Sequence, residues 1–374
     1  TLVVGVPGED SNATRVNGDE ANNTAANSGA AYVFTRSAGA WSQQAYLKAS
    51  NPGSSVLFGH CVAVSGDTLV VVGLGEDSNA TGVNGNQANN TATNSGAAYV
   101  FTRSAGVWRQ QAYVKASNTG LSDSFGQSVA LSGDTLVVGA PYEDSDARGV
   151  DGDGANNNNS ESGAAYVFTR SAGVWSQQAY LKASNTQAGD SFGYSVALFG
   201  ERLVAGAWRE ASNATGVDGD GANNSLIAAG AAYVFTRSAG VWGQQAYLKA
   251  SNPGNYDNFG QSVAISGETL VVAAPSEASN ATGVDGDEAN NSASGAGATY
   301  VFAPAFGAST FTVGGTVSGL SGSGLVLQNN AGNDLSINSN GSFTFSTPVS
   351  DGGAYAVRVR TQPSNPGQTC SVNN

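Results

Sequence analysis

The chain has 374 residues and a formal net charge of −13, although only 11% of its residues are charged. An acidic, sparsely charged surface excludes nucleic acid as a partner, because a phosphate backbone needs lysine and arginine. No apolar run approaches the roughly 20 residues needed to span a bilayer. With 40% hydrophobic residues, 51 glycines and evenly spaced aromatics, the chain is instead expected to be all-β, with short apolar runs between polar loops.

Read from the N-terminus, one pattern recurs every 67 residues. It places Trp41, Trp108, Trp175 and Trp242 in register, together with Lys48, Lys115, Lys182 and Lys249 and with Arg36, Arg103, Arg170 and Arg237. The repetition covers residues 1–303. Each unit predicts four strands, as in FGQSVAL (125–131), TLVVGAP (135–141), GAAYVFT (163–169) and VWSQQAYLKAS (174–184). Val, Tyr, Phe and Trp favour pleated, half-buried surfaces, and Gly and Ser clusters punctuate them. The SGDT and RSAG turns are short enough for antiparallel hairpins; a long polar loop joins the second strand to the third.

Four antiparallel strands per unit predict a β-propeller of four-stranded blades, with an open solenoid as the competing architecture. At least five units are expected, the first partial, since the pattern starts within a second strand and leaves after the third, at 300–302. A blade made from the fourth strand of one unit and the first three of the next would end the repeat region on a finished blade. The lack of an initiator Met and of a signal peptide points to a processed or partial chain.

FGQSVALSGDTLVVGAP (125–141) and FGYSVALFGERLVAGA (192–207) resemble the Phe-Gly and Gly-Ala-Pro hallmarks of FG-GAP repeats. Such repeats form the propeller of integrin α-subunits and occur in many bacterial surface proteins. The resemblance implies an extracellular or cell-surface protein, bacterial in origin. In the family, calcium sits in an Asp-rich loop between the two hallmarks. Here that connection is only residues 132–135, too short to wrap a cation, so the family's ligands are not carried over.

Acidic loops follow the second strand instead. The third, EDSDARGVDGDGANN from Glu143, offers Asp144, Asp146, Asp151 and Asp153; later loops offer Asp218 with Asp220, and Asp285 with Asp287. Carboxylates alternating with glycine suit calcium, which takes six to eight oxygen ligands, so these are candidate calcium ligands. The competing reading is a solvated Asn/Asp/Gly turn whose side chains bond their own backbone. Asn12, Asn79, Asn213 and Asn280 each begin Asn-Ala-Thr and are candidate glycosylation sites.

Catalytic chemistry is sparse. His60 is the sole histidine, so neither a multi-His metal site nor a Ser-His-Asp arrangement is available. The recurring aromatics fit strand periodicity and are assigned to the core rather than to sugar stacking. Cys61 and Cys370 are the only cysteines, either two separate thiols or one disulfide within or between subunits.

Beyond a linker at 304–309, residues 310–374 change pattern and predict a small β-sandwich. It resembles the Ig-like or carboxypeptidase-regulatory-like modules of bacterial surface proteins, with its last strand missing. The expected function is an extracellular structural or adhesive protein, non-enzymatic, self-assembling head to tail into a fibre. The alternative is a monomeric binding module for a cell-surface or matrix protein or a glycan.

Overall fold

The computed structural model describes residues 1–303, 310–330, 332–347, 349–350 and 354–372. The linker expected at 304–309 lies outside them. The chain divides into two compact units, Thr1–Ala303 and Pro304–Asn374. All the regular structure described is β.

The first unit contains five antiparallel sheets. The first is β1 (Leu2–Val6), β2 (Ala30–Ser37) and β3 (Ala40–Leu47). The second is β4 (Phe58–Ser65), β5 (Thr68–Gly73), β6 (Ala97–Ser104) and β7 (Val107–Val114). The third is β8 (Ser128–Ser132), β9 (Thr135–Ala140), β10 (Ala164–Ser171) and β11 (Val174–Leu181). The fourth is β12 (Phe192–Phe199), β13 (Arg202–Ala207), β14 (Ala231–Ser238) and β15 (Val241–Leu248). The fifth is β16 (Ser262–Ser266), β17 (Thr269–Ala274) and β18 (Ala298–Phe302). Within every sheet the spatial order follows the chain, as in a propeller blade.

The blade is therefore the unit itself, which corrects the expectation that a fourth strand would join the next unit. The reason lies in the RSAG turn. Ser171 pairs with Val174, leaving a two-residue loop in which Ala172 (φ 48°) and Gly173 (φ 80°) both adopt the left-handed conformation. That is the type I′ geometry whose twist matches a hairpin, and it ties β11 to β10. Among the described residues the first sheet therefore has no counterpart of β4 and the fifth no counterpart of β7.

Successive blades pack face to face. Period-two alternation divides each central strand between two faces. Val70, Val72, Ala98 and Val100 of the second blade share a buried cluster with Leu136, Val138, Tyr166 and Phe168 of the third. Phe125 seals that junction edge-on, its ring centroid 5.4 Å from that of Tyr166 and 6.2 Å from that of Phe168. Equivalent clusters join the first blade to the second and the third to the fourth. The hallmark glycines meet across these junctions: a Cβ on Gly139 would lie 1.9 Å from the carbonyl oxygen of Gly193, itself at φ +83°. Only glycine permits that approach.

Among the described residues, none packs over the outer faces of the first and fifth blades as a neighbouring blade does. Leu2 is 47% and Trp41 52% exposed, whereas Leu136 and Trp175 are buried; at the other end Val301 is 64% exposed.

The second unit contains β19 (Thr310–Phe311) paired with β24 (Val349–Ser350), and β20 (Gly314–Val317) paired with β23 (Gly341–Thr344). Its third sheet is β22 (Asn333–Ile337), β21 (Leu325–Asn329) and β25 (Val357–Thr361) in that order. A small core of Val313, Leu325, Leu327, Ile337 and Phe345 holds it together.

Candidate functional site

The long loops between second and third strands are held by a buried polar network that repeats in four blades. In the third, Lys182 Nζ donates to Glu143 Oε2 at 2.7 Å and to Ser162 Oγ at 2.7 Å. Tyr180 Oη donates to Glu143 Oε1 at 2.7 Å and shares a hydrogen bond with Ser145 Oγ at 2.6 Å. The ion pair recurs as Lys48–Glu9, Lys115–Glu76 and Lys249–Glu210, and each of these lysine side chains is fully buried. Burial pushes the ammonium pKa of Lys182 down even with Glu143 beside it; the same holds for Lys115 and Lys249. Desolvation of two buried ions offsets much of their attraction, so such a pair fixes the position of the loop while adding little to net stability.

In the first four loops the first acid is thus committed to a lysine that directly follows the last strand of its own blade. The lysine period is legible in the sequence, but its pairing with the loop acids is not. The available signal was a single lysine per unit, at fixed spacing from an acid, directly after an apolar strand.

The other loop carboxylates also bond within the protein. Asp151 and Asp218 sit at φ 53° and accept the backbone N–H of Tyr180 and Tyr247 at 2.9 and 2.8 Å. Asn17 and Asn84 do the same for Tyr46 and Tyr113, so this position needs a left-handed backbone and a side-chain oxygen rather than a charge. Asp285 adopts the same φ in the fifth blade. Asp153, Asp220 and Asp287 accept the N–H two residues on, as Asn86 does in the second loop. Asp144 accepts the N–H of Glu161 at 2.8 Å, and Asp146 accepts from the Asn158 amide at 3.0 Å. Among the described residues no three His, Cys, Asp or Glu side chains gather closely enough to hold a metal ion. Asn12, Asn79, Asn213 and Asn280 are exposed on the same loops.

Between blades, the rim carries shallow polar clefts. One of about 550 Å³ is lined by Arg15, Asn17, Trp108, Arg109 and Gln110; a related one of about 460 Å³ is lined by Arg148, Ser184, Asp218 and Gln244. The tryptophans are largely internal. Trp175 Nε1 donates to Gln111 Oε1 of the preceding blade at 2.9 Å, while the Arg170 guanidinium lies 5.2 Å from the ring centroid. Trp108 and Trp242 repeat this arrangement; Trp41, half exposed on the first blade, is the exception.

Away from the loops, Asp123 and Asp190 are buried just before the Phe-Gly pairs, accepting the backbone N–H of Gly120 and of Gln187. Burial raises both carboxyl pKa values to about 7. His60 is exposed on β4. Cys61 and Cys370 are free thiols, Cys61 beside the junction of the second and third blades and Cys370 beside the core of the second unit.

No helix among the described residues is long and apolar enough to cross a membrane. Among curated proteins none matches this chain. The FG-GAP repeat family model matches four times, over residues 41–101, 108–168, 175–235 and 242–302. Each match starts at a fourth strand and ends in the third strand of the next unit, one strand out of step with the blades. Together the matches cover well over half of the sequence, and the chain belongs to the FG-GAP repeat family.

Proposed function

We propose that this protein is an extracellular adhesive module of a bacterial surface, without catalytic activity, which presents its rim of acidic loops to a protein or glycan partner. One observation carries the reading: four loops of nearly the same sequence are each fastened by a buried lysine–glutamate pair. A rim fixed in that way offers the same contact several times at regular spacing, and linked weak contacts gain avidity without any new interaction. The interblade clefts supply polar groups beside each loop. Glycan on Asn12, Asn79, Asn213 and Asn280 would decorate the same rim, and the second unit, read as an Ig-like module, would serve as a stalk.

The test is adhesion of protein-coated beads to glycan and matrix-protein arrays. Saturable binding is expected, with sharply lower avidity when the loop tips in the second and third blades are replaced by Gly-Ser linkers of equal length. Equal binding by that variant would refute the rim as the contact surface.

A second reading, head-to-tail assembly into a fibre, draws on the exposed apolar residues of the first and fifth blades. Each internal junction joins a Leu/Val/Tyr/Phe face to a Val/Ala face, and the end blades expose one face of each kind. Concentration-dependent filaments in electron micrographs, lost with Val301→Asp, would support it; discrete particles at all concentrations would refute it.

A further inference from the structure

Two departures from the repeat meet in one cleft. At one loop position the later units carry Gly82, Gly149, Gly216 and Gly283, whereas the first carries Arg15. After the recurring tryptophan the other blades carry Ser42, Ser176 and Gly243, whereas the second carries Arg109. Arg15, from the first loop, and Arg109, on β7, both line the cleft of about 550 Å³ between the first and second blades.

The first substitution also changes how the loop is held. Gly82, Gly149 and Gly216 sit at φ of 68°, 69° and 67°, and their carbonyls accept the N–H of Lys115, Lys182 and Lys249 at 2.8 Å. Val83, Val150 and Val217 then bridge to the last strand of their blades. Glycine takes that left-handed backbone without strain, and Arg15 does not adopt it. Among the described residues the first loop makes neither the carbonyl bond nor the valine bridge, and Asn17 ties it to its blade instead.

The cleft is cationic within an acidic protein. Both arginines are exposed, and among the described residues neither guanidinium has an ion-pair or hydrogen-bond partner. Arg103, Arg170, Arg202, Arg209 and Arg237 each face a carboxylate. No described Asp or Glu lines the cleft, and Lys48 at its base is already paired with Glu9. The position held by Asp151 and Asp218 in the third and fourth loops is Asn17 and Asn84 here, and both line the cleft. Their oxygens accept the N–H of Tyr46 and Tyr113, which leaves each side-chain amide as a donor. The cleft between the third and fourth blades instead sets Asp218 with Arg148.

We propose that the cleft between the first and second blades binds an acidic glycan. Arg15 and Arg109 hold its oxyanion groups, since the guanidinium fork matches carboxylate and sulfate oxygens. The amides of Asn17 and Asn84, with Ser50 and Gln110, bond the sugar hydroxyls between them. Neutral hydroxyl and amide groups between two cations fit a chain that alternates charge with hydroxyls, and a volume of this size suits a short oligosaccharide. The choice of a glycan rests on the adhesive reading; the position of the site does not.

The probes are fluorescein-labelled oligogalacturonate, whose acids are carboxylates, and a sulfated dextran oligosaccharide, titrated into the full chain by fluorescence anisotropy. Neutral dextran oligosaccharide and oligoglutamate serve as comparisons. Saturable binding of an acidic sugar is expected, weakening as salt rises; the sugar preferred distinguishes carboxylate from sulfate. Arg15→Gly and Arg109→Ser each install the residue that sister units carry, and circular dichroism checks their fold. Each is expected to weaken binding about 10-fold, as loss of a hydrogen bond to a charged group does, and the pair to abolish it. Arg148→Thr, in the cleft of the third and fourth blades, is expected to leave affinity unchanged. Absence of saturable binding, equal binding of the neutral sugar, or full affinity in the double variant would overturn the proposal. Tighter binding of oligoglutamate at the same residues would make the partner an acidic peptide and overturn the glycan. Beads that adhere to the arrays while neither acidic sugar binds would remove this site and leave the adhesive reading standing.

Discussion

Removing one ammonium from the loop network tests the reasoning most directly. Lys182→Met keeps most of the aliphatic stem and deletes the charge, leaving Glu143 buried with hydrogen bonds from Tyr180 and Asn118 but no cation. Breaking a buried pair in this way costs about 3–5 kcal/mol, because the remaining charge is uncompensated. Replacing both partners with apolar residues, Lys182→Met with Glu143→Leu, should cost far less, since the desolvation of both ions is recovered. Urea unfolding followed by tryptophan fluorescence gives each stability, and the cycle gives the coupling. Hydrogen exchange should place the loss of protection in the third loop and β11, because repeat arrays lose stability locally. A Lys182→Met protein within about 1 kcal/mol of the parent would equate the pair with an exposed surface bridge and refute the argument.

Three further outcomes follow from burial and charge. Trp175→Ala is expected to cost about 3–5 kcal/mol, against less than about 1 kcal/mol for Trp41→Ala, since only the first empties a packed junction; equal costs in urea melts would place Trp41 in a packed junction as well. Asp123 and Asp190 have folded pKa values of about 7, raised from 3.8 chiefly by burial, with nearby Glu143 and Glu210 adding to it. Their contribution is therefore complete below pH 3.8 and is lost as pH rises toward 7. Relative to Asp123→Asn/Asp190→Asn, the parent should lose stability between pH 5 and 7 by up to about 1.4 kcal/mol per pH unit for each group; parallel pH profiles would refute this. Finally, because the loop aspartates cap backbone N–H groups, chelator dialysis and millimolar calcium should both leave Tm unchanged. A calcium-dependent rise in Tm removed by Asp144→Asn would establish the metal reading instead.

Much of the architecture was present in local chemistry. The 67-residue period, the Phe-Gly and Gly-Ala-Pro hallmarks and the SGDT and RSAG turns specify strand positions, because alternation and turn geometry are properties of neighbouring residues. The extent of each blade was legible in the same turn: Ala172-Gly173 can close only a hairpin within one unit. The loop aspartates were ambiguous in sequence because an Asp–Gly alternation serves a calcium loop and an Asx turn equally well. The interchange with Asn17, Asn84 and Asn86 shows that the turn hydrogen bonds themselves tolerate loss of charge there.

Tertiary structure alone decided what lies inside. Trp41 and Trp175 occupy the same position in nearly the same sequence, yet one is half exposed and the other buried, because burial depends on a neighbouring blade. Glu143 and Lys182 lie 39 residues apart, and only the folded blade places them 2.7 Å from each other. Local sequence determines which atoms a strand offers; the stacking of blades determines which of those atoms lose water, and with it their pKa, their energetic weight and the surfaces left for a partner.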